Sequence, residues 1–84
     1  MKSTPIKIRL LYFASLADRA GLAEETIETN ATAPRDLYAD IAKMHGFSFA
    51  PERLRVAVNG TLASWDRALA DGDEVVFLPP VSGG

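Results

Sequence analysis

The sequence predicts an α+β fold: one main helix packed across one face of a mixed sheet of four to five strands. Three observations carry this. Residues 6–13 and 54–59 alternate with period two, as strands with one buried face do. Residues 34–45 hold the strongest amphipathic helix pattern, with Leu37, Ile41 and Met44 at i, i+4 and i+7 and Tyr38 and Ala42 beside them. Residues 74–78 include Val75-Val76-Phe77-Leu78, apolar on both faces, which suits an internal strand covered on two sides. The elements do not alternate regularly between strand and helix, which disfavours a doubly wound sheet.

In chain order, the first strand places Ile6, Ile8, Leu10 and Tyr12 on one face and Lys7, Arg9, Leu11 and Phe13 on the other. The first set is the core face. The second begins charged and turns apolar at Leu11 and Phe13. Those two are either covered by the chain, more readily Leu11, or part of an exposed apolar patch of the kind that marks partner sites. Residues 14–20 form a short helix anchored by Leu16 and stopped by Gly21. Residues 25–29, with Thr26, Ile27 and Thr29, form a second strand after a turn at 21–24.

The long helix starts at Pro34, where a missing N–H costs nothing, and carries Asp36 in its first turn. Lys43 and His45 occupy its last turn and Gly46 ends it. His45 is the sole histidine and has no sequence-adjacent metal or catalytic partners, so it reads as a helix-end cation. Residues 47–52 make a loop whose aromatics cover one end of the core. Leu54, Val56 and Val58 then face inward on a strand, and Asn59-Gly60 turns it back, since both central residues of a type I′ turn need positive φ. Residues 61–63 return. Trp65 edges the core, residues 66–69 are expected as one 3₁₀ turn, and Asp71-Gly72-Asp73 is a tight turn too short in ligands for a calcium loop.

The sequence closes Leu78-Pro79-Pro80-Val81-Ser82-Gly83-Gly84. Pro79 and Pro80 stop the strand ladder and hold their neighbours extended. Gly83 and Gly84 carry no side chain and can enter a channel too narrow for any other residue. Residues 79–84 fully extended reach roughly 20 Å at ~3.3–3.6 Å per residue. The expected design is a stiff arm ending in a main-chain carboxylate, ionised near neutrality. A carboxylate is a poor electrophile. Joined to AMP, it becomes an acyl group open to a sulfur or amine nucleophile, and glycine is the least hindered acyl group for that attack.

At 84 residues the chain is expected to form one domain, 1–84, with 79–84 as its arm. A chain of this size buries only about 60–65% of its unfolded surface, leaving little room for both a core and an enclosed active site. That favours a carrier, adaptor or subunit over a free-standing enzyme. The net charge is −2 with no basic stripe, against nucleic-acid binding. No cysteine is present, which removes disulfides, thiolate nucleophiles and side-chain sulfur carriage together. No apolar run approaches the ~20 residues of a membrane span, and the N-terminus lacks a signal-peptide pattern, so a cytoplasmic protein is expected.

Several stretches together resemble the small, sulfur-carrying subunit of molybdopterin synthase, a ubiquitin-like family with the β-grasp fold. They are Ile6-Lys7-Ile8 through Phe13-Ala14, Val58-Asn59, Asp71-Gly72-Asp73-Glu74-Val75, and above all Phe77 through Gly84. The acidic turn followed by the proline-proline arm is more specific than the diglycine. Leu78 stands where some relatives have an aromatic residue, and Ser82 where threonine is common.

The resemblance implies that an adenylyltransferase related to ubiquitin-activating enzymes uses ATP to form an acyl-adenylate on Gly84. A sulfur donor then converts it to a thiocarboxylate. Pro79, Pro80, Val81, Ser82 and Gly83 enter the large subunit, and Gly84 delivers sulfur to cyclic pyranopterin monophosphate. Two deliveries build the dithiolene of molybdopterin. Phe13, Leu62 and Leu78 are carried over as contacts with the large subunit, in an expected heterotetramer. The resemblance implies neither a stably bound cofactor nor a metal site, and it places the general acids and bases on the partner. The alternatives are a sulfur carrier for thiazole synthesis or another pathway, whose usual chain is shorter and lacks the proline-proline arm, a protein modifier joined to lysine through Gly84, and a binding module whose tail is incidental.

Overall fold

In a computed structural model of the protein, residues 4–79 are described. The last strand, β5 (Glu74–Leu78), runs between β1 (Ile6–Tyr12) and β3 (Arg55–Val58), parallel to the first and antiparallel to the second. Outside them lie β2 (Glu24–Thr29) on β1 and β4 (Thr61–Ala63) on β3, giving a five-stranded sheet of order β2-β1-β5-β3-β4. Two helices, α1 (Ala14–Ala20) and α2 (Pro34–His45), supply the other side of the core. This is the mixed sheet with one main helix that the periodicities predict, and the arrangement of a β-grasp fold.

The period-two alternation sets the inner face. Ile8, Leu10 and Tyr12 of β1, Val56 and Val58 of β3, and Val75 and Phe77 of β5 are all buried, and they meet Leu16, Leu37, Tyr38 and Ile41 from the helices. Tyr38 tilts onto Phe77 at 5.2 Å and meets Trp65 edge-on at 6.0 Å, so aromatic rings close one end of the core. The turn at Asn59-Gly60 has φ of 53° and 85°, as a two-residue hairpin of this type requires, and it pairs Val58 with Thr61.

Three details differ from the sequence reading. Met44 is exposed, although it continues the i, i+4, i+7 series from Leu37. The buried stripe starts one turn earlier, at Pro34, and continues through Tyr38 and Ile41, so the last turn offers His45 to the sheet instead. Residues 66–69 are not a 3₁₀ turn. Ser64 carbonyl accepts from Arg67 N–H (3.1 Å) and Ser64 Oγ from Asp66 N–H (3.0 Å), making a single turn ahead of an irregular stretch. A 3₁₀ turn does occur at Pro51–Arg53, where the proline fixes the first position.

The acidic turn is structural. Asp73 is buried and its carboxylate accepts from Asn59 Nδ2 (2.9 Å), Ala70 N–H (2.9 Å) and Arg67 (3.4 Å). The Asn59 amide bond leads the effects that hold this carboxyl below the usual range. Asp71 accepts from Lys7 N–H (2.8 Å), so the two acids tie the β4–β5 connection to both the hairpin and β1.

His45 reaches Glu25, on the core face of β2, with Nε2 2.6 Å from Oε2, and Tyr12 OH donates to the same oxygen at 2.5 Å. The cluster joins β1, β2 and the end of α2. Burial opposes ionisation of Glu25, but hydrogen bonds from Tyr12 and His45 and the histidine charge outweigh it and leave the carboxyl below its ordinary value. A lowered folded-state pKa stabilises above the unfolded value, about 4.3 for Glu, and that contribution disappears as pH falls through the folded value. Thermal melts from pH 6 down to about pH 3 test this: Glu25→Gln is expected to flatten the acid-side fall in melting temperature relative to the parent.

Candidate functional site

Among the described residues, no helix covers the outer face of the sheet, yet that face is not uniformly polar. Inter-strand register makes its composition explicit. One row crosses Thr26, Arg9 and Glu74, in which Arg9 bridges Glu24 at 3.1 Å and Glu74 at 3.6 Å. The next row runs Glu24, Leu11, Val76, Ala57 and Leu62, apolar across four strands. A third places Arg55 beside Leu78. The sheet therefore passes from a charged row through an apolar one to Arg55 beside Leu78, where β5 leads into Pro79.

Individual exposures sort this face. Phe13 is 51% exposed and Leu62 60%, among the largest exposed hydrophobics of the described residues. Leu78 and Leu11 are half-buried. Val76 is 8% exposed although it lies outside the main core cluster, because Leu11 and Ala57 flank it on the same face. An apolar surface of contiguous side chains without a cover is characteristic of a partner site.

Phe13 owes its position to an abrupt junction. β1 ends at Tyr12, whose ring is buried, and α1 begins at Ala14 with no linker beyond Phe13. The reversal is made by Ala14 in a left-handed conformation (φ 50°), which is uncommon for a residue with a β-carbon. Phe13 carbonyl then accepts from Leu16 N–H (3.1 Å), starting the helix. Parity turns the phenyl ring away from the core, and the turn leaves it beyond the end of the strand.

Of the residues expected to act, Phe13, Leu62 and Leu78 thus fall on or beside the outer apolar face. Pro79 directly follows the end of β5 and is half-buried, as expected of a residue that terminates the ladder. Pro80, Val81, Ser82, Gly83 and Gly84 lie outside the described residues. Leu11, which parity already puts on this side, joins the face together with Ala57 and Val76, and the signal that finds the last two is register across four strands. Among the described residues, no group of three His, Cys, Asp or Glu side chains is placed to hold a metal ion, and no helix is long and apolar enough to cross a membrane.

The model of the ThiS family matches residues 10–84. The chain belongs to that family of ubiquitin-like sulfur carriers. It is 35% identical over 80 residues to the molybdopterin synthase sulfur carrier subunit of Escherichia coli (strain K12), covering 92% of this chain and 99% of that protein. It is 37% identical over 83 residues to the corresponding subunit of Chlamydomonas reinhardtii, covering 94% and 100%. Among solved structures it is similar to SAMP1 from Haloferax volcanii, with a TM-score of 0.77, 27% identity, and 93% and 99% of the two chains covered.

The apolar face makes a direct prediction about stability. Leu62→Ser is expected to change unfolding free energy by no more than about 0.5 kcal/mol, as at an ordinary surface position. Leu10→Ala, in the core, is expected to cost about 2–5 kcal/mol. Urea denaturation of both variants checks the assignment of the two faces.

Proposed function

We infer that this protein is the sulfur-carrier subunit of a molybdopterin synthase, with Gly84 as its working residue. The observation that carries the reading is the pairing of a near full-length match to such subunits with an uncovered apolar face at the end of the sheet where the chain leaves for its diglycine terminus. The globular body is a handle. Its role is to bind two successive partners and to aim the terminal carboxylate.

The chemistry runs in three steps. A carboxylate oxygen of Gly84 attacks the α-phosphate of ATP on an adenylyltransferase, releasing pyrophosphate and forming an acyl-adenylate. Sulfur at the sulfide level, released by its donor as hydrosulfide, attacks the acyl carbon and AMP departs, leaving a thiocarboxylate. The arm, residues 79–84, then enters the large subunit, the thiocarboxylate sulfur attacks cyclic pyranopterin monophosphate, and water cleaves the acyl–sulfur bond, leaving the sulfur on the pterin and returning the Gly84 carboxylate. Two deliveries supply the dithiolene of molybdopterin. ATP is consumed on the activating enzyme, and this chain needs no resident cofactor. Phe13, Leu62 and Leu78 serve as the apolar contacts with the large subunit in a heterotetramer, and the general acids and bases belong to that partner. The steps take place in the cytoplasm.

A second reading draws on the likeness to SAMP1, a small archaeal modifier protein: Gly84 would join a lysine amine by an isopeptide bond. Peptides of other proteins that carry, on a lysine, the 68–84 remnant left by cleavage after Arg67 would mark that outcome in a tryptic digest.

Two measurements test the first reading. Protein isolated with its activating system is expected to gain about 16 Da at Gly84, oxygen exchanged for sulfur by attack on an activated acyl group. An unmodified intact mass after ATP and a sulfur source are supplied would count against it. Phe13→Lys is expected to weaken binding to the large subunit by about 2 kcal/mol or more, as loss of a buried aromatic anchor does, with little change in melting temperature. A parallel loss of folding would make Phe13 part of the core.

A further inference from the structure

Beside the apolar face lies a groove of about 650 Å³, where β3 begins and β5 ends; Arg53, Arg55, Leu62, Trp65, Leu78 and Pro79 are among its walls. We propose that this groove is a second docking element, and that it takes an acidic segment of the large subunit through Arg53 and Arg55. The proposal rests on the reading of the chain as that subunit's partner and extends the contact beyond the apolar row.

The two arginines differ from the others. Arg9, Arg35 and Arg67 sit 3.1, 3.1 and 3.4 Å from the carboxylates of Glu24, Asp66 and Asp73. Arg19 donates to the Gly46 carbonyl at 3.0 Å. Among the described residues, the guanidinium groups of Arg53 and Arg55 have neither an ion-pair partner nor a hydrogen-bond acceptor, and both residues are exposed. Glu52 also lines the groove without pairing to either, so the groove keeps an excess of positive charge in a chain of net charge −2.

Position ties this charge to the apolar face. Leu62 and Leu78 belong to both surfaces, and Arg55 stands opposite Leu78 in register. A stable interface engages roughly 20–30 residues a side, more than the apolar row and Phe13 supply. The contact must spread, and the adjoining concavity at the exit of β5 is the continuous route. A cation pair on such a rim matches a partner segment rich in Asp or Glu, and steers its approach.

The test is the association rate of the full chain with the large subunit, at low and at high salt. Reversing both charges, Arg53→Glu with Arg55→Glu, is expected to slow association about ten-fold at low salt. The deficit should shrink at high salt, where exposed charges are screened. The pair Arg53→Lys with Arg55→Lys should stay near the parent rate, and the melting temperature should not move in either variant. Association of the reversed variant at the parent rate overturns the proposal, as does slowed adenylation with unchanged large-subunit binding, which would assign the groove to the activating enzyme. Phe13→Lys measured alongside separates the two levels: if it loses binding and the arginine variant does not, only the groove falls; if it too binds like the parent, the interface reading itself fails.

Discussion

The structure depends on the clamping of β5 between β1 and β3. Its backbone is bonded on both edges, parallel on one and antiparallel on the other. Val75 and Phe77 anchor it from the helix side, and Val76 is covered on the opposite side by its neighbours. A strand held this way cannot slip, because a shift of one residue would exchange Val75 and Phe77 for Glu74, Val76 and Leu78 on the core face. The fixed register determines where Leu78 ends the ladder and where Pro79 sets the chain on its way out.

The same register builds the outer face. Residues of odd number on β1 and β3 and of even number on β5 share that side, so a row of polar pairs lies next to a row of Leu11, Val76, Ala57 and Leu62. Arg9 and its two glutamates close the polar row among themselves. Among the described residues, the apolar row and Phe13 have no such closure. A domain this small gains little by leaving apolar side chains in water, and the proposed docking of a partner on this face accounts for the arrangement.

Much of the fold was legible from local pattern. Period-two alternation located β1 and β3, Asn59-Gly60 located the hairpin, and the doubly apolar run at 75–78 gave β5 its internal place. What local pattern missed depends on phase or on distance in the chain. The α2 stripe was read from Leu37 and so included Met44, whereas packing begins at Pro34 and presents His45. The cluster of Tyr12, Glu25 and His45 joins residues from three separate elements, and no spacing rule brings them together. The turn after Ser64 is settled by one side-chain hydrogen bond, which competes locally with a 3₁₀ turn. At the candidate site, parity alone turned Phe13 outward, while Leu62 and Leu78 were indicated by resemblance to a family and acquire a physical reason only from the sheet order.

In the proposed function the acyl carbon of Gly84 is the reacting centre, and the folded body binds the partners and presents it. Reconstituted synthesis of molybdopterin with a chain lacking Gly83 and Gly84 tests this most directly. The shortened chain is expected to fold and to bind the large subunit, yet to yield no dithiolene product. Product formation at the parent rate would contradict it.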